Sequence, residues 1–277
     1  MSQTGLYVVA TPIGNLEDIS YRAVRILSEV DLIAAEDTRH SRVLLSHYNI
    51  TTPMQTLHEH NEAQVEGRML ERITNGQAIA LISDAGTPLI SDPGFRLVRS
   101  AREAGLPVYS VPGASAITAA LSIGGLPSDR FSFEGFLPSK ATARSKKLEM
   151  LCRESRTMVF FESSHRIKAA IAAMTDVFGG QRMAAICREL TKKFETVIRA
   201  PLVDLGERLA DDRDQSRGEF VILVDGYQAS EDEELVKAQT MATALLEFMP
   251  ASQAARVAAK LNDVSRRRIY QMLDTNL

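Results

Sequence analysis

The sequence predicts an α/β protein in two parts followed by a small helical tail. Residues 1–125 are expected to carry a parallel sheet and 126–227 a second α/β domain with a mixed sheet. Residues 228–277 are expected to be an acidic linker and a helix-turn-helix-like set of helices. Three observations predict this. Residues 78–82, AIALI, are an unbroken apolar run closed by Ser83, Asp84, Gly86 and Pro88, as expected of a strand buried on both faces in mid-sheet. In the first half such runs alternate with stretches of helical spacing, the pattern of βαβ units. In the second half the runs lie closer together, which calls for some antiparallel pairs.

Taken in order, residues 6–10 form the first strand, and Thr11, Pro12, Gly14 and Asn15 make a tight loop at its carboxyl end. Ile19, Ala23, Ile26, Leu27 and Val30 recur at helical spacing behind Asp18. Residues 32–35 are the second strand, ending in the charged cluster Glu36, Asp37, Thr38, Arg39 and His40, with a helix expected over 41–47. That cluster either caps the helix or brings chemistry to the edge of the sheet. Residues 53–57 read as an edge strand running into His58, Glu59, His60, Asn61 and Glu62. Two histidines at i, i+2 lack the H-E-x-x-H spacing that puts both on one helical face, so polar substrate contacts or a helix start are expected and a metal is not.

The run at 78–82 opens into a loop that ends, on this reading, with Asp92 as N-cap and Pro93 in the first helical position. Leu97, Val98, Ala101 and Ala104 then form an apolar face that stops at Gly105. Strand 108–111 leads into Pro112, Gly113, Ala114, Ser115 and Ala116, whose small side chains let a ligand approach the backbone or let a helix pack tightly. Gly124, Gly125 and Pro127 mark the domain boundary. Beyond it, strands are expected at 131–136, 157–161, 183–187, 194–199 and 219–224, with helices over 141–152 and up to 178. In the tail, helices follow residues 228–234, with Ser252 as one N-cap. Arg266, Arg267 and Arg268 sit on the first turn of the last helix, a basic patch suited to phosphates or to docking.

Composition narrows the function. The chain has 277 residues, 45% apolar and 24% charged, with a net charge of -3, so it carries no overall signature of a nucleic-acid binder. Cys152 and Cys187 are the two cysteines, without the spacing of a disulfide framework or a zinc site. No apolar run approaches the ~20 residues of a membrane span, and residues 6–10 are too short for a signal peptide, so a cytoplasmic protein without membrane contact is expected. The triphosphate loop G-x-x-x-x-G-K-[ST], the dinucleotide fingerprint G-x-G-x-x-G and the nucleophile elbow G-x-S-x-G are all missing. What remains is a set of Gly- and Pro-rich strand ends that should hold a small ligand between the halves.

The ordered segments TPIGNLEDIS, AAEDTRHSRVLL, LISDAGTPLISDPG, VPGASAITAALSIGGLPSDRFSFEGFLP, FFESSHRI and RELTKKFET resemble the RsmI family of ribosomal RNA small-subunit methyltransferases. That family lies within the tetrapyrrole-methylase (class III methyltransferase) fold. The resemblance spans nearly the whole chain. It implies S-adenosyl-L-methionine as methyl donor in the cleft between two α/β domains, usually of a homodimer, and a cytidine ribose 2'-hydroxyl in the decoding region of 16S rRNA as acceptor. Carried onto matching positions, it places the donor against Ile13, Gly14, Asp84, Ala85, Thr87, Ser115 and Ala116, closed over by Leu190 and Gly218. The hydroxyl must lose a proton, for which Glu36, Asp37, His58 and Glu162 are the candidates. Arg39, Arg166, Arg188 and Lys192 suit phosphate or ribose positioning, or else structural ion pairs between the domains. Two further readings are a tetrapyrrole-type small-molecule methylase and a ligand-sensing helix-turn-helix regulator.

Overall fold

The described residues of a computed structural model, 2–58, 61–211, 217–229 and 231–274, contain two five-stranded sheets. The first comprises β1 (Gly5–Val9), β2 (Leu32–Ala35), β3 (Met54–Thr56), β4 (Ala78–Ile82) and β5 (Val108–Val111) in the order β3-β2-β4-β1-β5, parallel throughout. β4 is central and wholly buried, as its apolar run requires. The helices α1 (Tyr21–Glu29), α2 (Thr38–His47), α3 (Glu62–Thr74), α4 (Phe95–Glu103) and α5 (Ala116–Ile123) alternate with these strands. Separate apolar cores line the two faces, one around Val9, Leu27, Ile33 and Ile82, the other around Leu6, Leu57, Met69 and Leu81. Because every strand runs the same way, the loops after β1, β2, β4 and β5 open along one edge.

Several local expectations are corrected. Helix α1 is capped by Ser20, whose side chain accepts from the Ala23 N–H, rather than starting behind Asp18. Helix α2 begins at Thr38, three residues early, because the Asp37 carboxylate caps it. Helix α4 starts at Phe95, not Pro93. Its N-cap is Gly94 at φ 114, a left-handed conformation that favours glycine, and Asp92 caps nothing. Helix α3 begins at Glu62, the helix start that residues 58–62 offer as one alternative, and Val65, Met69 and Ile73 turn one buried stripe inward.

The second sheet comprises β6 (Phe131–Phe136), β7 (Thr157–Ser163), β8 (Met183–Arg188), β9 (Thr196–Pro201) and β10 (Glu219–Val224), in the order β6-β7-β10-β8-β9. β6 and β7 are parallel, and the other three pairings are antiparallel, the mixed sheet that the spacing predicts. Among the described residues the helices of this part are α6 (Ala141–Leu151), α7 (Ile167–Phe178) and the unforeseen α8 (Leu202–Asp211). Met158, Phe160, Ile171, Met174, Leu205 and Ile222 belong to the core on one face. The other face packs Val159, Cys187, Val221 and Leu223 against Ile117 and Ala120 of α5, so the last helix of the first part seals the second sheet. Gly124 at the end of α5 permits this approach, since a Cβ there would lie 2.3 Å from Leu223 Cδ1. Residues 1–226 accordingly form one compact unit.

Residues 227–277 form a second unit. It contains α9 (Glu231–Leu245), α10 (Ala251–Asn262) and α11 (Arg266–Asp274), packed through Leu235, Ala238, Ala242, Ala255, Ala258, Ile269 and Leu273. Glu231, Asp232, Glu233 and Glu234, the acidic end of the linker, are the first turn of α9, where negative charge complements the helix dipole. Helix α10 starts after Pro250, not at a Ser252 cap. Arg268 pairs with Glu231 and Asp232, and Arg266 donates to the Ser252 carbonyl, so two of the three arginines are tied into the bundle.

Candidate active site

The edge of the first sheet is stitched by its own backbone. Thr11 and Gly86 exchange N–H···O bonds of 2.8 and 3.1 Å, joining the loops after β1 and β4. Thr87 Oγ1 donates to the Ala114 carbonyl at 3.1 Å, tying in the loop after β5. The loop 83–94 holds four residues at positive φ: Gly86 (77°), Leu89 (74°), Ser91 (67°) and Gly94 (114°). Two of these are not glycine, and such conformations are kept only where the surroundings over-determine them, as at ligand sites.

Along the second sheet, the ends of β6, β7 and β8 and the start of β10 share one edge. The 189–191 turn there is also strained, with Glu189 at φ 51° and Thr191 at φ 66°. The two edges meet at Gly14, where a Cβ would lie 2.5 Å from Lys192 Cγ and 3.1 Å from the Leu190 carbonyl. Between the edges is a cavity of about 480 Å³, within the range of small-molecule sites.

Of the residues predicted to hold a donor, Ile13, Asp84, Ala85, Thr87, Ser115, Ala116, Leu190 and Gly218 line this cavity, while Gly14 supports its wall. Of the four candidate proton acceptors, Glu36 and Glu162 line it and Asp37 and His58 do not. Asp37 is occupied in capping α2 and in pairing with Arg39 at 3.0 Å. The Arg39 contacts hold its carboxyl down at about 2. His58 exchanges hydrogen bonds with Asn61 in the turn before α3, and Glu59 and His60 lie outside the described residues.

The cavity is acidic on its front wall. The Asp84 N–H donates to Glu36 at 3.4 Å, and its carboxylate accepts from the Asp37 N–H at 3.1 Å. Asp92, which sequence reasoning assigned to a cap, lines the same wall. Burial, opposed by a hydrogen bond from Ser83 and reinforced by the charges of Glu36 and Asp84, pushes its carboxyl up to about 6. On the opposite wall the Glu162 side chain is 1% exposed. Its Oε1 accepts from the Ser163 N–H at 2.9 Å and meets Arg166 Nε at 3.2 Å, while the buried Oε2 has no hydrogen-bond partner. Burial outweighs Arg166 and Arg144 and raises its pKa. Cys187 also lines the cavity, but burial pushes its thiol up to about 12, so it stays neutral.

The cationic candidates lie outside the cavity lining. Arg166 is held by Glu162 and the Leu137 carbonyl, Arg188 donates to the Arg217 carbonyl at 2.7 Å, and Lys192 bridges Glu189 and Glu219 at 3.0 and 2.7 Å. Each of these contacts stays within the second sheet's half, so the ion pairs foreseen between the domains are not what these residues form. Arg39, 89% exposed, keeps donors free toward solvent.

Residues 5–206 match the family model described as Tetrapyrrole (Corrin/Porphyrin) Methylases, and 231–274 match the RsmI C-terminal HTH domain. The chain is 52% identical to Ribosomal RNA small subunit methyltransferase I of Pseudomonas aeruginosa, over 98% of its own length and 97% of the relative's. The chain belongs to that family. The Escherichia coli O157:H7 member is 45% identical over 98% of this chain and 94% of its own. Solved folds extend the likeness at low identity. Diphthine synthase matches with a TM-score of 0.61 at 16% identity, over 82% of this chain and 92% of that one. Uroporphyrin-III C-methyltransferase of Thermus thermophilus, complexed with S-adenosyl homocysteine, matches with a TM-score of 0.53 at 17% identity, over 79% and 96%. The tetrapyrrole-methylase fold with a C-terminal helical domain is therefore the fold of this family member.

Proposed function

We propose that this chain transfers a methyl group from S-adenosyl-L-methionine to the 2'-hydroxyl of a cytidine in the decoding region of 16S rRNA, acting on the small ribosomal subunit. The observation that carries the reading is full-length similarity to the ribosomal RNA methyltransferases, joined to a cavity whose walls suit both partners of the transfer. The donor supplies a methyl group on a positively charged sulfur. Residues present fit it: the carboxylates of Glu36, Asp84 and Asp92 favour the positive charge, backbone groups of the stitched loops supply donors and acceptors, and Ile13, Ala116 and Leu190 provide an apolar slot.

The protein's main contribution is alignment. Holding acceptor and donor in line is worth effective molarities of ~10⁵ M or more. A rigid edge, strained at Leu89 and Ser91 and tied by Thr11 and Thr87, suits that task. The ribose proton goes to a carboxylate on the cavity wall, Asp92 or Glu162, both of which bind protons more tightly than ordinary carboxylates. Asp37, held low by Arg39, is better read as the cap that sets α2 and orients Arg39 toward RNA phosphate.

Residues 1–125 and 126–227 act as the two jaws of the cleft, and 228–277, with Arg267 and its neighbours, adds RNA contact. The chain works as a homodimer in the cytoplasm, where its acceptor is assembled. Among the described residues no helix is long and apolar enough to cross a membrane. Incubation with donor carrying a labelled methyl group and small subunits should label the rRNA. Label in protein or in a small molecule alone would reject the reading.

A further inference from the structure

Strand β6 carries an irregularity that its sheet does not need. Phe133 pairs with Val159, but the next pair is Gly135 with Phe160, then Phe136 with Phe161, so Glu134 is an extra residue in the ladder. Gly135 beside it sits at φ 67, a left-handed conformation that favours glycine. Side chains alternate along a strand, so without the bulge Phe136 would share the face of Phe160, which is buried in the core of the second sheet. With it, Phe136 shares the face of Phe133 and Phe161, the face that meets the cavity.

The result is an edge-to-face series of rings. Phe133 and Phe161 have centroids 4.9 Å apart at 64°, and Phe161 and Phe136 5.7 Å apart at 68°. Two rings are packed, but the third, Phe136, is 53% exposed while it lines the cavity. An aromatic side chain turned out of a core and braced by a second ring is placed to receive a flat partner.

We infer that Phe136 is the platform on which the nucleobase of the acceptor nucleotide stacks while its ribose enters the cavity. The inference rests on the proposed acceptor being RNA. The adenine of the donor is the competing flat group, but the apolar slot offered to it, Ile13, Ala116 and Leu190, is packed against the buried face of the second sheet, whereas the Phe136 ring is exposed. A base that leaves its neighbours to reach an enzyme must be held by a face, and every base has one.

The test compares wild type, F136L and F136Y with small ribosomal subunits as acceptor. F136L should raise KM for subunits roughly tenfold to a hundredfold, the range expected on losing a base–aromatic stack, while donor affinity measured by calorimetry stays within about twofold. F136Y should restore KM. An F136L enzyme with unchanged KM, or one that loses donor affinity in proportion, overturns the inference. The chain has no tryptophan, so F136W supplies one emitting ring at this position. Its fluorescence should be quenched by subunits and not by donor alone; no quenching, or quenching by donor alone, also overturns it. If wild type fails to methylate subunits, the proposed function falls first, which separates the two failures.

Discussion

At the scale of single residues, Asp92 decides how the acid wall works. A folded-state pKa near 6, raised above the ordinary 3.8, means the folded chain holds the proton more tightly than the unfolded chain between those values. The stability so gained is fully present below about pH 4 and is lost as pH rises through 6. D92N should therefore raise the melting temperature at pH 7, by a stability gain of about 1 kcal/mol. If Asp92 is the proton acceptor, the same variant lowers kcat by ~10²-fold or more, and in wild type kcat/KM falls as pH drops below about 6. Stability unchanged at pH 7 would show that its burial is not costly. Full activity of D92N with loss in E162Q would move the acceptor to the opposite wall. Asp92 was not legible as a site residue because S-D-P-G reads as a cap before a proline. The left-handed Gly94 moves the helix start on by two residues and leaves Asp92 on the cavity wall. Glu36 was legible as a candidate because it directly follows the buried strand β2, and Glu162 because it lies near the end of β7, whereas Asp84, two residues past β4, came only from the family resemblance.

At the scale of elements, the loop from β4 to α4 is the most constrained part of the front edge. A Cβ on Gly94 would lie 2.6 Å from Leu81 Cδ2, at a φ of 114 that other residues rarely adopt. G94A should destabilise the fold by about 1–3 kcal/mol and weaken donor binding, read by thermal denaturation and calorimetry together. A variant with wild-type stability would mean the loop has slack that its geometry denies. Strands were the most legible elements, since β2, β5, β6 and β10 are continuous apolar or alternating runs between turn formers. Helix α8 was missed because it follows Pro201 directly and its stripe of Leu202, Leu205 and Leu209 is short. The bulge in β6 was missed too, although a glycine inside a strand pattern is its usual sign.

At the scale of the whole molecule, residues 1–226 contain both walls of the cavity and both sheets within one compact unit. A chain ending at Gly226 should therefore fold and bind donor with near wild-type affinity, yet methylate small subunits more slowly. Loss of donor binding on truncation would contradict the independence of the first unit. Light scattering of the full chain should give twice the monomer mass. The central claim is that the cleft presents a methyl donor to one RNA sugar, and mass mapping of rRNA ribose methylation tests it most directly. Cells lacking this protein should miss one 2'-O-methylated cytidine in the decoding region of 16S rRNA and regain it when the protein is restored. An unchanged methylation map in the two strains would contradict the account.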